Sequence, residues 1–509
     1  MKGLASRRVA VEILLKVEQE GAFANKATSA AFNAHSLNEK DRALVTYIVQ
    51  GTLRHKTELD EELRKFSKTK LEKLNLPILL ILRTALFQLM HMEDMPPSAV
   101  LNTSVEIARK MGHEGSAKFV NGVLRAFDRS RKGTDVSATG SKSAAGSKSA
   151  AGSESAAESA TGSESTAGVE SAAATGVEST DFNFSHDDFP RLSKRYSLPE
   201  WMIRRWLERF GPTETSKLLQ YSQSIPRLIL RSSQMSITTD GLIDIFRSKG
   251  MKVEKSRLMP DCIIVLDRGP FSGPINKLPG YDEGLFVVQD DASALVATIL
   301  SAKSGQTIAD LCAAPGGKSL QLGEIMENKG RVVAVDNSEK RLSLLGKERR
   351  RLSLTNIEAV VADGTKYKPE QAVDAVLLDA PCSGTGVINR RSDLRWHREE
   401  KDIESLVKTQ RALLENAAAM LKPGAVLVYS TCSMEKEENQ DNIDWFIQTH
   451  SGFKLDNMEP FMNQELLQSW SAESHWSETQ KQLRDGYIQL LPSRHGCSGF
   501  FICRIKRDD

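Results

Sequence analysis

The stretch TIADLCAAPGGKS, residues 307–319, decides the fold of the C-terminal half of the chain. Strand-forming residues lead through small residues and two glycines into a helix with an apolar face. A strand that turns directly into a helix in this way is typical of an open α/β sheet, which binds its ligand beyond the carboxyl ends of the strands. Small residues in the turn would let that ligand approach the backbone, although the same turn could be only a tight connection.

The turn ends in Gly317-Lys318-Ser319, as phosphate-binding loops do. The Walker pattern also requires a glycine at position 312, where this chain has Cys312. We therefore exclude nucleoside triphosphate binding of that type.

Beyond this turn, short apolar runs alternate with helical segments, which predicts a mostly parallel sheet. The predicted strands are residues 307–310, 332–336, 359–363, 375–379 and 425–430. Two later runs, 487–491 and 499–505, predict an antiparallel pair at one edge of the sheet. We assign this α/β domain to residues 285–509.

Three acidic residues end consecutive predicted strands. Asp336 follows the second strand, Asp363 the third and Asp379 the fourth, so the three carboxylates should gather at one edge of the sheet. In this architecture an acid after the second strand binds a ribose diol. Any one of them alone could instead be a solvated strand end or a helix cap.

Two cysteines follow neighbouring predicted strands. Cys382 lies in DAPCSGTG, residues 379–386, and Cys432 lies in YSTCS, residues 429–433. A lone cysteine is usually a small buried hydrophobe, but a thiol at a loop end on the ligand side can be activated as a nucleophile.

The six cysteines of the chain form no Cys-x-x-Cys pair. Because this spacing fits neither a disulfide framework nor a structural zinc site, we predict no metal and a reducing, cytoplasmic environment. The apolar runs are too short for a signal peptide or a membrane span, so we expect no membrane association.

The N-terminal region, residues 1–132, carries apolar residues at helical spacing, which predicts an all-α bundle. Helix breaks are expected at its glycines and prolines, among them Gly21, Gly51, Pro77 and Pro96.

Two segments join this bundle to the α/β domain. Residues 133–180 repeat Ser, Ala and Gly without an aromatic residue, so they cannot bury enough apolar surface to fold, and we predict a disordered linker. Residues 181–284 mix a helix at 199–210 with strand patterns and predict a small α+β subdomain.

The charge of the chain is unevenly distributed. Its 509 residues imply more than one domain, and the formal net charge is only +2. Residues 1–132 hold 22 Lys+Arg and 15 Asp+Glu, a net charge of +7, whereas residues 133–180 carry −4 and residues 181–509 carry −1. The positive charge of the bundle favours a nucleic-acid partner.

The motifs resemble a known family. Residues 310–319, 379–386 and 430–433 are similar to those of the RNA cytosine-C5 methyltransferases, which depend on S-adenosylmethionine and carry paired Pro-Cys and Thr-Cys motifs. DNA cytosine-C5 enzymes take their nucleophile from the Pro-Cys position and the RNA family takes it from Thr-Cys. Because this chain carries both motifs, it resembles the RNA branch.

The bundle carries a second resemblance. Residues 41–45, 51–54 and 119–125 are similar to the NusB-type RNA-binding domain. Joined to the catalytic motifs, this domain resembles the bacterial 16S rRNA methyltransferase B type over all of the chain except the linker.

The resemblance implies a NusB-like bundle, an RNA-binding small subdomain and a Rossmann-like domain that binds S-adenosylmethionine. It implies that Cys432 attacks cytosine C6, that Cys382 assists release of the enzyme, and that Asp379 contacts the base or the methionine end of the cofactor. Asp336 would hold the ribose hydroxyls and Asp363 would lie near the adenine. The implied cofactor loop consists of Cys312, Ala313, Ala314, Pro315, Gly316, Gly317 and Lys318.

The implied partner is 16S rRNA, free or within a partly assembled small subunit, and we expect a monomer. Two alternatives stay open: a tRNA cytosine-C5 methyltransferase, and an RNA-binding assembly or transcription factor whose catalytic half is inactive. The cluster Arg390, Arg391, Arg395 and Trp396 could contact phosphate and a stacked base, or could be a solvated helix start with a packed Trp396.

Overall fold

The computed structural model of the protein describes residues 3–93, 95–138, 188–271 and 273–509. Most of the predicted linker, residues 139–180, therefore lies outside the described residues. Among the helices of the described ranges, none combines the length and the apolar character that a membrane crossing requires.

The N-terminal region is an all-α bundle, as predicted. Apolar residues at helical spacing, such as Val9, Ile13 and Leu86, meet in one buried core. The last helix continues past residue 132 into the segment predicted as linker. The helices are α1 Leu4–Glu20, α2 Ala24–Ala34, α3 Glu39–Arg54, α4 Lys56–Phe66, α5 Leu76–His91, α6 Pro97–Met111 and α7 Glu114–Ala138.

The expected helix break at Gly51 is wrong, because Gly51 lies inside α3. A Cβ atom at this position would lie 1.9 Å from Cζ of Phe87 on α5. The glycine is therefore needed for the close approach of two helices, not for a turn. Gly21 behaves as expected: it ends α1 in the left-handed conformation, with φ of 63°.

A small α+β subdomain follows, also as predicted. Its four strands form an antiparallel sheet in the order β2-β3-β1-β4. Pairing of β4 with β1 extends this sheet past residue 284, a long-range contact that no local pattern reveals. The elements are α8 Asp188–Tyr196, α9 Glu200–Gln223 with a kink at Gly211, β1 Leu228–Ser232, α10 Thr239–Ser248, β2 Lys252–Lys255, β3 Cys262–Asp267 and β4 Phe286–Val288.

The C-terminal domain has the predicted mostly parallel sheet. The strand order is β10-β12-β9-β8-β5-β6-β7, and the pairs from β9 to β7 are parallel. The predicted antiparallel pair at the edge is confirmed as β11 with β12. The strands are β5 Thr307–Asp310, β6 Arg331–Asp336, β7 Ile357–Val361, β8 Val373–Asp379, β9 Leu421–Thr431, β10 Phe453–Leu455, β11 Tyr487–Leu490 and β12 Phe500–Arg507.

Helices cover both faces of this sheet and bury two apolar clusters against it. Burial on both faces explains why the inner parallel strands β6 and β8 are mostly apolar, whereas the edge strand β7 is largely exposed. The helices are α11 Asp291–Leu300, α12 Gly317–Ile325, α13 Glu339–Arg351, α14 Leu394–His397, α15 Asp402–Met420, α16 Gln440–Thr449, α17 Gln464–Trp470, α18 Trp476–Arg484 and α19 Pro492–His495.

The segment around α14 joins the bundle to the C-terminal domain. Arg395 is 1% exposed, and its guanidinium donates to main-chain carbonyls that include those of Arg54 and Ser222. Trp396 Nε1 donates to the carbonyl of Leu53 over 2.7 Å. The interpretation of Arg395 as a phosphate contact is therefore wrong, because its side chain is buried in the domain interface. For Trp396, the alternative of a packed side chain is confirmed.

The contact between Gly51 and Phe87 can be tested by substitution. Gly51→Ala should destabilise the bundle by about 1–3 kcal/mol, because the added methyl group overpacks α3 against α5. Urea denaturation of the full chain measures this change. Gly122→Ala is the matched control: Gly122 is an exposed helical glycine at which an added Cβ would meet nothing within 4 Å, so this change should leave the midpoint unchanged or raise it. Equal midpoints for the two variants would contradict the close contact.

Candidate active site

A cavity of about 450 Å³ opens at the carboxyl ends of the parallel strands. This is where open α/β sheets bind their ligands, because loops diverge there and leave strand-end side chains accessible. Most of the acids and cysteines singled out from the sequence meet at this cavity. The predicted residues that line it are Cys312, Ala314, Asp336, Asp363, Asp379, Cys382 and Cys432.

The two cysteines face each other in this cavity. Strand β8 pairs with β9 so that Asp379 lies opposite Ser430, and the loops that follow bring Cys382 Sγ to 3.3 Å from Cys432 Sγ. The contact to Cys432 and burial both raise the pKa of the Cys382 thiol well above its usual value. At neutral pH Cys382 is therefore a protonated thiol that can donate a hydrogen bond to its neighbour.

A buried carboxylate, which the sequence analysis did not identify, fixes the two cysteine loops. Glu438 is fully buried, and its Oε1 accepts from the backbone N–H of Ser383 and from Gln410 Nε2, each over 2.9 Å. Its Oε2 accepts from the hydroxyls of Ser383 and Ser433, the residues that directly follow the two cysteines. One side chain thus ties both loops together.

Asp379 is held in a short polar chain at the end of β8. Its Oδ2 accepts from Lys318 Nζ over 2.6 Å, and its Oδ1 accepts from Ser430 Oγ over 2.8 Å. Lys318 also donates to Ser293 Oγ. Lys318, expected in the cofactor loop, is therefore an ion-pair partner that orients the Asp379 carboxylate.

Asp336, the acid at the end of the second strand, lies at the cavity and accepts several hydrogen bonds. Asp336 is 4% exposed, and it accepts from the backbone N–H of Ala314 over 3.2 Å and from Arg341 Nη2 over 2.8 Å. Asp363 differs, since it lies two residues beyond the end of β7 and is half exposed at the rim. Hydrogen bonds from the Thr365 hydroxyl and backbone lower the pKa of Asp363.

The glycine-rich turn lies next to the cavity and contributes part of its lining. Gly316 has φ of 115°, and a Cβ there would lie 2.5 Å from Leu345 Cδ1, so only glycine allows α12 to begin at this place. Ala313 is buried, and the Ala314–Pro315 peptide bond is cis. Of the described residues in this turn, Ala313, Pro315, Gly316, Gly317 and Lys318 are outside the cavity lining.

Two groups next to the turn have raised pKa values. Burial raises the pKa of Asp310 to about 7, although Ser319 Oγ donates to its carboxyl group over 2.6 Å. Burial and the neighbouring acids raise the pKa of the Cys312 thiol. Cys312 is therefore a poor nucleophile.

Phe23 and Arg398 also line the cavity and were not singled out from the sequence, whereas Arg391 was singled out there as a possible phosphate contact. Phe23 belongs to the N-terminal bundle, and the guanidinium of Arg391 lies 5.7 Å from the centre of its ring. Arg398 donates to the carbonyls of Cys382 and Ser383, each over 3.2 Å. Only the folded chain brings the bundle to this cavity, so no local motif could have indicated Phe23.

Solved structures share this architecture. The structure of PH0851 is 23% identical, covers 100% of this chain and 99% of its own, and superimposes with a TM-score of 0.72. A methyltransferase homologue from Pyrococcus horikoshii is 27% identical, with a TM-score of 0.52 over 63% of this chain and 98% of its own. The fold is thus one that methyltransferases use.

Family comparisons divide the chain into the same three parts. Residues 297–506 match the family described as 16S rRNA methyltransferase RsmB/F, and residues 4–129 match the NusB family. Residues 198–272 match the ferredoxin-like domain of RsmF/B-like methyltransferases. These matches confirm the predicted fold classes of all three regions.

Relatives match over the full length. A probable ribosomal RNA small subunit methyltransferase B of Bacillus subtilis is 33% identical over 100% of both chains. The ribosomal RNA small subunit methyltransferase B of Salmonella paratyphi B is 30% identical over 81% of this chain and 82% of its own. The chain belongs to the ribosomal RNA small subunit methyltransferase B family, which confirms the resemblance inferred from its motifs.

The role of Glu438 can be measured as a loss of stability. Glu438→Ala should lower the free energy of unfolding by at least about 3 kcal/mol, because it leaves several buried donors unpaired at about 1–3 kcal/mol each. Glu438→Gln should recover part of the loss, since its amide oxygen still accepts from Ser383 and Gln410 while its NH₂ donates to the serine hydroxyls. Urea denaturation gives these values.

The neighbouring Glu437 provides the control. Its carboxylate is 42% exposed and pairs only with Arg205 among the described residues, so Glu437→Ala should cost less than about 1 kcal/mol. A cost for Glu438→Ala as small as that of Glu437→Ala would contradict the role of Glu438 in holding the loops.

Proposed function

We propose that this protein methylates C5 of a cytosine in small-subunit ribosomal RNA and uses S-adenosylmethionine as the methyl donor. The observation that carries the proposal is the pair of thiols at 3.3 Å, Cys382 and Cys432, in the strand-end cavity beside Asp379. Cytosine C5 is a poor nucleophile, and an enzyme must first add a nucleophile at C6 to activate it. A thiol is suited to that addition, and a second thiol has no equivalent use in a methyltransferase that acts on oxygen or nitrogen.

The residues present fit S-adenosylmethionine. The cavity is of the size that holds a cofactor. Its lining combines apolar residues, such as Leu311 and Pro381, with a small number of carboxylates. In the proposed assignment, Cys312 and Ala314 of the turn Cys312–Lys318 contact the nucleoside, and Lys318 acts through Asp379. Asp336 binds the ribose hydroxyls and Asp363 lies near the adenine. When bound, S-adenosylmethionine supplies an electrophilic methyl group.

The proposed chemistry of the chain begins at Cys432. Its thiolate sulfur adds to C6 of the cytosine, and the electrons of the C5–C6 double bond make C5 nucleophilic. Cys382, held as a neutral thiol, can donate a hydrogen bond to the Cys432 sulfur. After methylation, the C5 proton passes to water, the C5–C6 double bond re-forms and the Cys432 thiolate is expelled. Cys382 assists this release by donating its hydrogen bond to the departing sulfur.

Asp379 is proposed to bind the base during this sequence. Lys318 and Ser430 fix its carboxylate, and the free lone pairs can accept a hydrogen bond from the exocyclic amine or from a proton on N3. Such an acceptor stabilises the adduct as charge shifts within the ring. Because the group is fixed before the base arrives, little reorganisation is needed.

RNA is the proposed partner. The net charge of +7 on residues 1–132 attracts phosphate, and Phe23 and Arg391 line the cavity from the side of the bundle. The target base must leave its stack to reach Cys432, and an aromatic ring at the cavity supports an unstacked base. We propose a monomer as the active form, acting in the cytoplasm where ribosomes are assembled.

Substitution of each cysteine separates their roles. Cys432→Ala should abolish methylation and retain S-adenosylmethionine binding, because only the C6 nucleophile is lost. Cys382→Ala should accumulate a covalent complex of protein and RNA, because addition proceeds while release is impaired. A denaturing gel with labelled RNA measures the complex, and isothermal titration measures the cofactor.

Cys262→Ala is the control for these variants. Cys262 is buried in β3 of the small subdomain, so its loss should leave turnover intact and trap no complex. Turnover by Cys432→Ala, or no trapped complex with Cys382→Ala, would contradict the assigned division of roles.

The RNA substrate can be identified by comparing cells with and without the gene. Bisulfite sequencing of total RNA from strains with and without the gene should show one protected cytosine in 16S rRNA that is lost with the gene and restored by the wild-type chain. Loss of a tRNA site would favour the tRNA alternative. No lost site, together with no cofactor binding by the purified protein, would favour the inactive RNA-binding factor.

A further inference from the structure

A cluster of two histidines and one glutamate lies in the N-terminal bundle, outside the cavity of the cysteines. His55 occupies the junction of α3 and α4, Glu58 lies in the first turn of α4, and His91 is the last residue of α5. Because 36 positions separate the two histidines, their meeting is a result of helix packing and is not visible as a sequence motif.

Nitrogen atoms of both rings converge on the same carboxylate oxygen. His55 Nδ1 lies 2.6 Å and His91 Nε2 lies 3.5 Å from Glu58 Oε2. One donor atom from each residue lies within 4.8 Å of the other two. Zinc bonds of about 2.0–2.1 Å to nitrogen and oxygen place tetrahedral ligands about 3.4 Å apart, so small side-chain rotations suffice to surround an ion.

His91 has an unused ligand atom. Its Nε2 is shielded from solvent, and no group in the described part of the chain forms a hydrogen bond with it. The His55 and His91 rings stack with their centres 4.1 Å apart, and Phe87 packs against both. The Glu58 oxygen at 3.5 Å is only a long contact for this buried nitrogen, and an ion between His91 and Glu58 would satisfy both groups.

A cavity of about 660 Å³ adjoins this cluster and is lined by both histidines. It provides an entry path for an ion and room for the water that completes a coordination shell. Two imidazoles and a carboxylate are the donor set that Zn²⁺ accepts, whereas Mg²⁺ and Ca²⁺ prefer oxygen ligands.

We propose that His55, Glu58 and His91 form a binding site for Zn²⁺, with water from the adjoining cavity as a further ligand. The ion links the α3–α4 junction to the end of α5. The neighbouring Arg54 donates to the carbonyl of Asn389 over 2.9 Å, and its own carbonyl accepts from Arg395. The site thus stabilises the segment through which the bundle contacts the C-terminal domain.

The test uses the full-length chain carrying Cys382→Ala and Cys432→Ala, because the paired thiols could themselves bind Zn²⁺. After removal of metal with a chelator, isothermal titration with ZnCl₂ should detect one site, and Zn²⁺ should raise the melting temperature. Co²⁺ should give a visible absorption band without a thiolate charge-transfer band. His91→Ala should weaken Zn²⁺ binding by about tenfold or more.

His35→Ala is the matched control, because His35 is a bundle histidine of similar exposure that pairs with the single acid Glu12. It should bind Zn²⁺ as the parent does. Glu58→Gln, which keeps the side-chain volume, should weaken binding even if His91→Ala fails to fold. No Zn²⁺ binding by the parent chain, or equal affinity in the parent and in Glu58→Gln, would overturn the proposal.

Discussion

The parallel pairing of β8 with β9 is the constraint on which the rest of the site depends. It places Asp379 opposite Ser430, and each strand then needs only two or three further residues to deliver a cysteine to the same cavity. Strand spacing alone would leave the position of the thiols to two loops. The fully buried Glu438 removes that freedom by accepting hydrogen bonds from the residue after each cysteine. Backbone pairing sets the approximate distance, and one buried carboxylate sets the final one.

The bundle and the C-terminal domain are joined next to this site. Arg395 is buried and donates to carbonyls from the bundle, from α9 and from its own loop. Each of these bonds satisfies a carbonyl that burial would otherwise leave without a partner. The same interface brings Phe23 to the cavity rim. The domain that carries the positive charge is therefore held beside the cavity of the two thiols.

Predictions from the sequence succeeded where a short local pattern implies a position. The rule that parallel strands end at one sheet edge correctly grouped Asp336, Asp379 and the two cysteines. Prediction from the sequence failed where the same residue type can have two structural roles. Gly51 was expected to break a helix but allows Phe87 to approach, and Trp396 was left open as a base-stacking residue but donates to Leu53. Helix breaks and helix contacts both use glycine, and only the neighbours distinguish them.

The sequence by itself determined the three-part organisation, the strand–turn–helix unit at residues 307–319 and the paired cysteine motifs, because periodicity and motif spacing are properties of neighbouring residues. The tertiary structure alone decided how close the thiols lie, which carboxylate holds their loops, and that a ring of the bundle lines the cavity. The tertiary structure alone also brings His55, Glu58 and His91 together. These features arise from contacts between residues far apart in the chain, and such contacts form only when the helices and strands pack.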